Sequence, residues 1–325
     1  MKNRIGEKEF EQLYLKEKPM YEAWGNYLKT YILSKLKEKY MDLDKILKLP
    51  VSCRTKELTS LIAKAFYRNK NYTDPYADIT DKVGIRFVVM RESDITKIGK
   101  IIEECESWLD FSKDQDFNAF RKLHPEVFTY QSQHYVVRNR IPITTKEVTI
   151  IEGTPCEIQI RTIEQHVYAE VSHDLFYKKD EQNDTVSLRL LARMAAFNEE
   201  SDELVERMYK MKESKEEYYN TLMQALKSEY GFTLENDKLN RTIYDDIEGL
   251  IKKYNINIES IRKYTNERPY ILALINTESD TLSQQPVILI VYFLLENYRH
   301  EFEANWSFTE DTLDSIKANL GIAME

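Results

Sequence analysis

The chain has 325 residues, 42% hydrophobic and 31% charged, with 22 Tyr, 13 Phe and a formal net charge of −9. That balance describes a globular chain of two folding units, or one domain with a large appendage, and excludes a disordered or low-complexity protein. The longest apolar run, Val287 to Leu295, is far short of the roughly 20 residues that a membrane span needs, and the acidic segment 181–325, with 16 Lys+Arg against 27 Asp+Glu, is unsuited to gripping a nucleic-acid backbone by itself.

Residues 7–40 are predicted as one amphipathic helix, with Phe10, Leu13, Tyr14, Tyr21, Trp24, Leu28 and Tyr31 at mixed spacings of three and four. Pro50 separates it from a second helix expected over 55–68. Strands are expected at 83–90, 133–138, 147–151 and 156–161, with Glu152-Gly153-Thr154-Pro155 as the turn between the last two. The pattern over 186–229 is helical throughout, Gly231 to Asn240 is the expected linker, and 242–320 is helical again, with Pro286 placed for a first helical turn. The expected organisation is an N-terminal helical segment (1–45), a core (46–180), a helical extension (181–235) and a C-terminal helical domain (241–325). Strands followed by helices in the core give an α+β class with a mixed sheet. Cys53, Cys105 and Cys156 have no metal-type spacing, and the N-terminus lacks the apolar stretch of a signal peptide, so the expected location is the cytoplasm, with no membrane partner.

The chemistry is concentrated where a strand runs into a helix. Side chains alternate along a strand, so Glu157, Gln159 and Arg161 share one face while Cys156, Ile158 and Ile160 enter the core. After Thr162, a candidate N-cap, His166, Glu170, His173 and Tyr177 recur at four, three and four residues and share one helical stripe. A carboxylate, an amide and a guanidinium in a row suit a metal-bound polyphosphate.

Glu157-Ile-Gln-Ile-Arg-Thr162 followed by His166-Val-Tyr-Ala-Glu170 and Ser-His173-Asp resembles the signature of the RelA/SpoT-type alarmone synthetases. Three further blocks stand in the same order: Arg54-x-Lys56-x-x-x-Ser60-x-x-x-Lys64, Asp81-Lys-Val-Gly84-Ile-Arg86, and Tyr130-Gln-Ser132-Gln-His134-Tyr. Any one alone is weak; four in sequence are a strong signal. The resemblance implies a nucleotidyltransferase-like mixed sheet flanked by helices, with an α-helical C-terminal region beyond it.

Lys56, Ser60 and Lys64 stand four apart, so on a helix they would stack on one face and, with Arg54, offer cations to a polyphosphate. Without the other blocks, a solvated basic face would be the better reading. The resemblance assigns Arg54 and Arg86 to the two faces of the adenine of ATP, and Lys56, Ser60 and Lys64 to its phosphates. Asp81 alone could be a strand-end cap; paired with Glu157 it forms a candidate Mg²⁺ site, since that ion is held by one or two carboxylates plus water and phosphate. Gly84 would leave the sheet surface open for the nucleotide. Tyr130 offers a ring on which a base can stack, and the resemblance places the acceptor guanine there, with His134 beside the acceptor and His166 at the guanine edge. His173 is read as packing.

The resemblance implies an ATP-dependent pyrophosphokinase that transfers pyrophosphate to the 3′-hydroxyl of GDP or GTP. Asp81, Glu157, Gln159 and Arg161 would form its catalytic group, with Glu157 the general base. Thr129 stands where the family usually has glycine, and Arg121 to Thr129 lacks the family's Pro-Lys-x-Asn-Gly run, so the acceptor stays open among GDP, GTP, an adenine nucleotide and the 3′ end of tRNA. A non-catalytic nucleotide sensor is a further alternative, and a zinc hydrolase is disfavoured because His166, Glu170 and His173 lack the His-Glu-x-x-His pattern. The remaining candidate partner is a second copy of the chain.

Overall fold

The computed structural model describes residues 5–68, 71–105, 108–129, 131–145, 148–176, 185–232, 237–277 and 281–322. The chain divides into two compact units, Met1–Tyr209 and Lys210–Glu325.

The first unit is built on a five-stranded mixed sheet with strand order β1-β2-β7-β4-β3. Its strands are β1 (Ser52–Thr55), β2 (Val83–Val89), β3 (Leu109–Gln115), β4 (Gln133–Asn139) and β7 (Pro155–Thr162); β5 (Ile143–Thr144) and β6 (Thr149–Ile150) form a separate hairpin. β2 and β7 are parallel, and the other neighbours in the large sheet are antiparallel. The helices of this unit are α1 (Glu7–Tyr40), α2 (Leu43–Ile46), α3 (Leu58–Ile62), α4 (Pro75–Asp78), α5 (Glu92–Glu103), α6 (Phe117–Leu123) and α7 (Ile163–Phe176). The unit boundary falls inside α8 (Thr185–Tyr230).

Alternation decides which sheet face is covered. Val83, Ile85, Phe87, Val89, Cys156, Ile158, Ile160, Tyr135 and Val137 point to one side and are buried in a single cluster with α1 and α5. α1 supplies Phe10, Tyr14, Tyr21, Trp24, Leu28, Ile32 and Leu36, the spacing of a helix with one buried stripe. It lies so close to the sheet that a Cβ on Gly25 would collide with Cys53 Sγ and Val83 Cγ2. The opposite face carries Arg54, Gly84, Arg86, Glu157, Gln159, Arg161 and His134, and the register sets them in rows. Arg54 pairs with Gly84, which pairs with Glu157; Ser52 pairs with Arg86, then Gln159, then His134.

The predicted strands at 83–90, 133–138 and 156–161 match β2, β4 and β7, and the helices over 7–40 and 186–229 match α1 and α8. The helix expected over 55–68 is different. Arg54 lies in β1, where Cys53 turns inward against α1; the helix starts only at Leu58 and continues as a π-turn over Ala63–Tyr67. Of the strand expected at 147–151, residue 147 lies outside the described residues and Thr149–Ile150 form β6, after which Gly153, at φ 77°, turns the chain toward β7.

The second unit contains α9 (Asp237–Lys253), α10 (Ile258–Glu267), α11 (Tyr270–Thr277), α12 (Ile288–Asn297), α13 (Arg299–Asn305) and α14 (Glu310–Asn319). α9 begins inside the expected linker, part of which lies outside the described residues. Pro286 precedes α12 and its cap, Val287, rather than occupying the first turn. Val287 to Tyr292, Leu294 and Leu295 are all 0–1% exposed. This apolar run is the centre of the unit's own core, packed by Tyr219, Leu226, Ile243, Ile247, Ile261 and Phe302. No helix among the described residues is long and apolar enough to cross a membrane.

Candidate active site

The polar rows floor a cleft of about 840 Å³ whose lining includes Arg54, Lys56, Ser60, Asp81, Gly84, Arg86, Glu157, Gln159, Arg161 and Glu170. Glu157, Gln159 and Arg161 reach it because β7 alternates, and Glu170 because Thr162 starts α7 at once. Gln165 N–H donates to Thr162 Oγ1 at 3.1 Å and Thr162 N–H donates to Gln165 Oε1 at 3.2 Å, a reciprocal cap that fixes the helix start.

Lys56 and Lys64 do not stack on one helix face, since Lys56 precedes α3 and Lys64 sits on the π-turn. They still converge. Their ammonium groups lie 2.5 and 2.8 Å from Asp81 Oδ2. Burial alone would raise the Asp81 carboxyl, but Lys56 and then Lys64 outweigh it and hold the group below its usual range.

Glu157 is held from both sides. His134 Nδ1 lies 3.3 Å from Oε1, and Gln159 Nε2 donates to Oε2 at 3.2 Å. Gln159 Oε1 in turn accepts from Arg161, itself 3% exposed. Burial pushes the Glu157 carboxyl up, and His134 overcomes that, so the group is depressed overall even with Asp81 close enough to raise it. A carboxylate kept ionised and aimed by an amide is able to accept a proton or hold a cation.

Arg86 Nη1 donates to Glu170 Oε1 at 2.9 Å, and His166 Nδ1 lies 3.5 Å from the same oxygen. Burial lowers the His166 pKa, and the charges of Arg161 and Arg86 lower it further, favouring the neutral ring. His166 thus stands beside Arg86 and Glu170. Arg54 and Ser60 line the same cleft. His173, expected to pack, is instead 64% exposed at the cleft margin, because the stripe turns outward in the last turn of α7. Tyr130 lies outside the described residues, as does Tyr177. Sequence reasoning missed Ser52, Glu57, Arg68, Ser172 and Asp174 in the lining. It also gave Glu170 no partner, although its place four residues after His166 was the available signal.

The donor chemistry fits a hard cation. Asp81 Oδ1 is buried and meets no hydrogen-bond donor among the described residues, and Glu157 lines the same cleft. Among those residues no group of three or more His, Cys, Asp and Glu could hold a metal. Two carboxylates therefore suit an ion whose shell is completed by water and phosphate oxygens, as for Mg²⁺, and not a closed protein cage.

Residues 53–183 match a family model described as a region found in RelA / SpoT proteins. The family likeness is confined to this stretch. It runs from β1 past the end of α7 and holds every cleft residue named above except Ser52. Part of the chain is also similar to solved structures. Small alarmone synthetase 1 from Bacillus subtilis, bound to its product pppGpp, is 24% identical with a TM-score of 0.48, over 63% of this chain and 99% of that one. Small alarmone synthetase 2 from the same organism is 22% identical with a TM-score of 0.48, over 62% and 98%. A GTP pyrophosphokinase family protein from Streptococcus pneumoniae is 23% identical with a TM-score of 0.44, over 60% and 95%. No curated protein matches the chain.

Proposed function

We propose that the chain is an ATP-dependent pyrophosphokinase of the cytoplasm, and that its preferred acceptor is GDP or GTP, giving (p)ppGpp. The observation that carries this reading is the cleft in the RelA/SpoT region: two depressed carboxylates, Asp81 and Glu157, face a cation set that includes Lys56, Lys64, Arg54, Arg86 and Arg161.

In this reading the acceptor 3′-oxygen bonds to the β-phosphorus of ATP while the bond from that phosphorus to the α,β-bridging oxygen breaks, and AMP leaves with that oxygen. Glu157 accepts the hydroxyl proton, oriented by Gln159 and His134. Lys56 and Lys64 leave Asp81 Oδ2 for the phosphates, and Arg161 steadies Gln159. Arg54 and Arg86 hold the adenine, Ser60 binds phosphate, and Tyr130, His134 and His166 form the acceptor side. Asp81 and Glu157 would hold Mg²⁺, which when bound neutralises phosphate charge. Such transfer depends mostly on positioning and charge.

The test is a turnover assay with β-labelled ATP against GDP, GTP, ATP and deacylated tRNA. Label appearing on GDP or GTP with release of AMP is expected. Label on tRNA alone, or on ATP alone, would replace the acceptor, and no transfer to any of them would leave a nucleotide-binding regulator as the better description.

A further inference from the structure

Lys82 follows Asp81, but its side chain leaves the cleft and is 2% exposed. Its ammonium donates to the Ile79 carbonyl at 2.6 Å and lies over the rings of Tyr76 and Tyr21, 4.7 and 5.7 Å from their centroids. Both phenols donate to Glu17 Oε2, at 2.7 and 3.0 Å. Tyr14, one turn earlier on α1, donates to the Lys56 carbonyl at 2.6 Å, and the Lys56 N–H donates to the Lys82 carbonyl at 2.9 Å. The residue that is caged by its side chain thus also holds, by its backbone, the lysine that reaches Asp81.

Stability alone gives little reason for a lysine here. Burying an ammonium costs free energy; the carboxylates of Glu17, Asp81 and Asp74 offset part of that by attraction, and the cation–π contacts return about 2 kcal/mol at most. An apolar side chain of similar length would avoid that cost. The bond from Nζ to Ile79 O, however, closes the 79–82 turn, and Asp81 lies inside that turn.

We infer that Lys82 is a positioning residue for the donor site, its caged ammonium pinning the 79–82 turn so that the Asp81 carboxylate faces Lys56, Lys64 and a bound cation. This role rests on the reading of Asp81 as a ligand for the donor's metal. It assigns α1 a part in nucleotide binding, since Tyr21 and Glu17 help build the cage, Tyr14 holds the Lys56 carbonyl, and none of the three lines the cleft. Outer partners of metal ligands typically change metal affinity by roughly 10- to 100-fold when removed.

The experiment is calorimetric titration of the full chain with AMPCPP, once with Mg²⁺ and once with EDTA, alongside thermal unfolding. Lys82→Met should unfold at the same or a higher temperature, lose roughly 10- to 100-fold in affinity with Mg²⁺, and change little with EDTA. Tyr76→Leu, which strips one ring from the cage and keeps the lysine, should show the same Mg²⁺-specific loss to a smaller extent, and it decides the matter if Lys82→Met does not fold. Wild-type affinity and Mg²⁺ dependence in the folded variant overturn the positioning role alone. Absence of AMPCPP binding by the wild-type chain overturns the donor-site reading and the positioning role together.

Discussion

Arg86 on β2 and Glu170 on α7, 84 residues apart in the chain, are joined by a 2.9 Å hydrogen bond in which the guanidinium donates. The Glu170 side chain is 52% exposed, so the pair is of the solvent-screened kind that contributes about 1 kcal/mol or less. If a nucleotide base binds at Arg86 as proposed, it displaces the carboxylate at little cost, and the pair holds Arg86 out over the cleft beforehand. Arg86→Ala should weaken AMPCPP binding by roughly 3- to 30-fold, the range of a lost cation–π contact. Glu170→Gln should change it by less than about fivefold. Calorimetry on both variants checks this, and the opposite ranking would mean that Glu170 is the contact and Arg86 its support.

Asp81→Asn and Glu157→Gln should each lower pyrophosphate transfer by about 100-fold or more, the scale of losing one preorganised electrostatic group. The double variant should be little worse than either single one, because both act on the same charge. Single-turnover rates with labelled ATP on purified, folded protein provide the check. Near-normal turnover in either single variant would remove that carboxylate from the site.

Gly84 separates stability from function. A Cβ built there would make an ordinary 3.7 Å contact with the Glu157 carbonyl, so the strand does not require glycine. The side chain would instead project into the cleft between Arg54 and Glu157. Gly84→Ala should leave the melting temperature unchanged or raise it by the equivalent of about 0.5–1 kcal/mol, and AMPCPP affinity should fall from Gly to Ala to Val. Equal affinity in all three would show that the nucleotide does not cross this row.

Asp202 on α8 is 2% exposed and accepts from Thr162 Oγ1 at 2.9 Å. Burial pushes its carboxyl up to about 7; Thr162 and Arg121 oppose this, and Glu92 and Glu164 add to it. The folded protein thus keeps the proton over a range in which the unfolded chain, with an ordinary value near 3.8, has lost it. The stability present at low pH is therefore lost as pH rises from about 4 toward 7, and stays lost above it. Asp202→Asn should flatten that fall and raise the melting temperature at pH 8 by something on the order of 5 °C, with little gain at pH 5. An identical pH profile in the two proteins would show that the carboxylate is relieved by solvent.

The fold was legible where burial is regular. Val83, Ile85, Phe87 and Val89 of β2, Tyr135 and Val137 of β4, and Cys156, Ile158 and Ile160 of β7 alternate onto the covered face, and α1 repeats its buried stripe over about seven turns, so periodicity alone finds them. β1 and β3 lie at the two edges of the sheet. β1 is four residues long with no fully buried position, and β3 after Leu109 reads Asp-Phe-Ser-Lys-Asp-Gln, mostly exposed. Their pairing comes from neighbouring strands, not from a pattern of their own. In the cleft, the polar face of β7 followed from alternation, whereas the meeting of Lys56 and Lys64 on Asp81 depends on the pairing of β1 with β2 and on the π-turn, neither of which the sequence announces. α5 was overlooked although Ile95, Ile98 and Ile102 carry a helical spacing.

The apolar run of α12 gives the last test. Ile290 is 0% exposed, at the centre of a core made wholly of residues from Tyr219 onward, whereas the cleft residues and their supporting core lie in the first unit. Ile290→Ala leaves a cavity and should cost about 2–5 kcal/mol. If each unit is stabilised by its own core, that loss falls on the unfolding of residues 210–325, and AMPCPP affinity below the transition stays within about twofold of wild type. Differential scanning calorimetry with and without AMPCPP separates the cases, since a ligand raises the melting temperature only of what it binds. A single transition that AMPCPP shifts as a whole, together with weakened binding in Ile290→Ala, would mean that the two units fold cooperatively and that the C-terminal helices act on the nucleotide site.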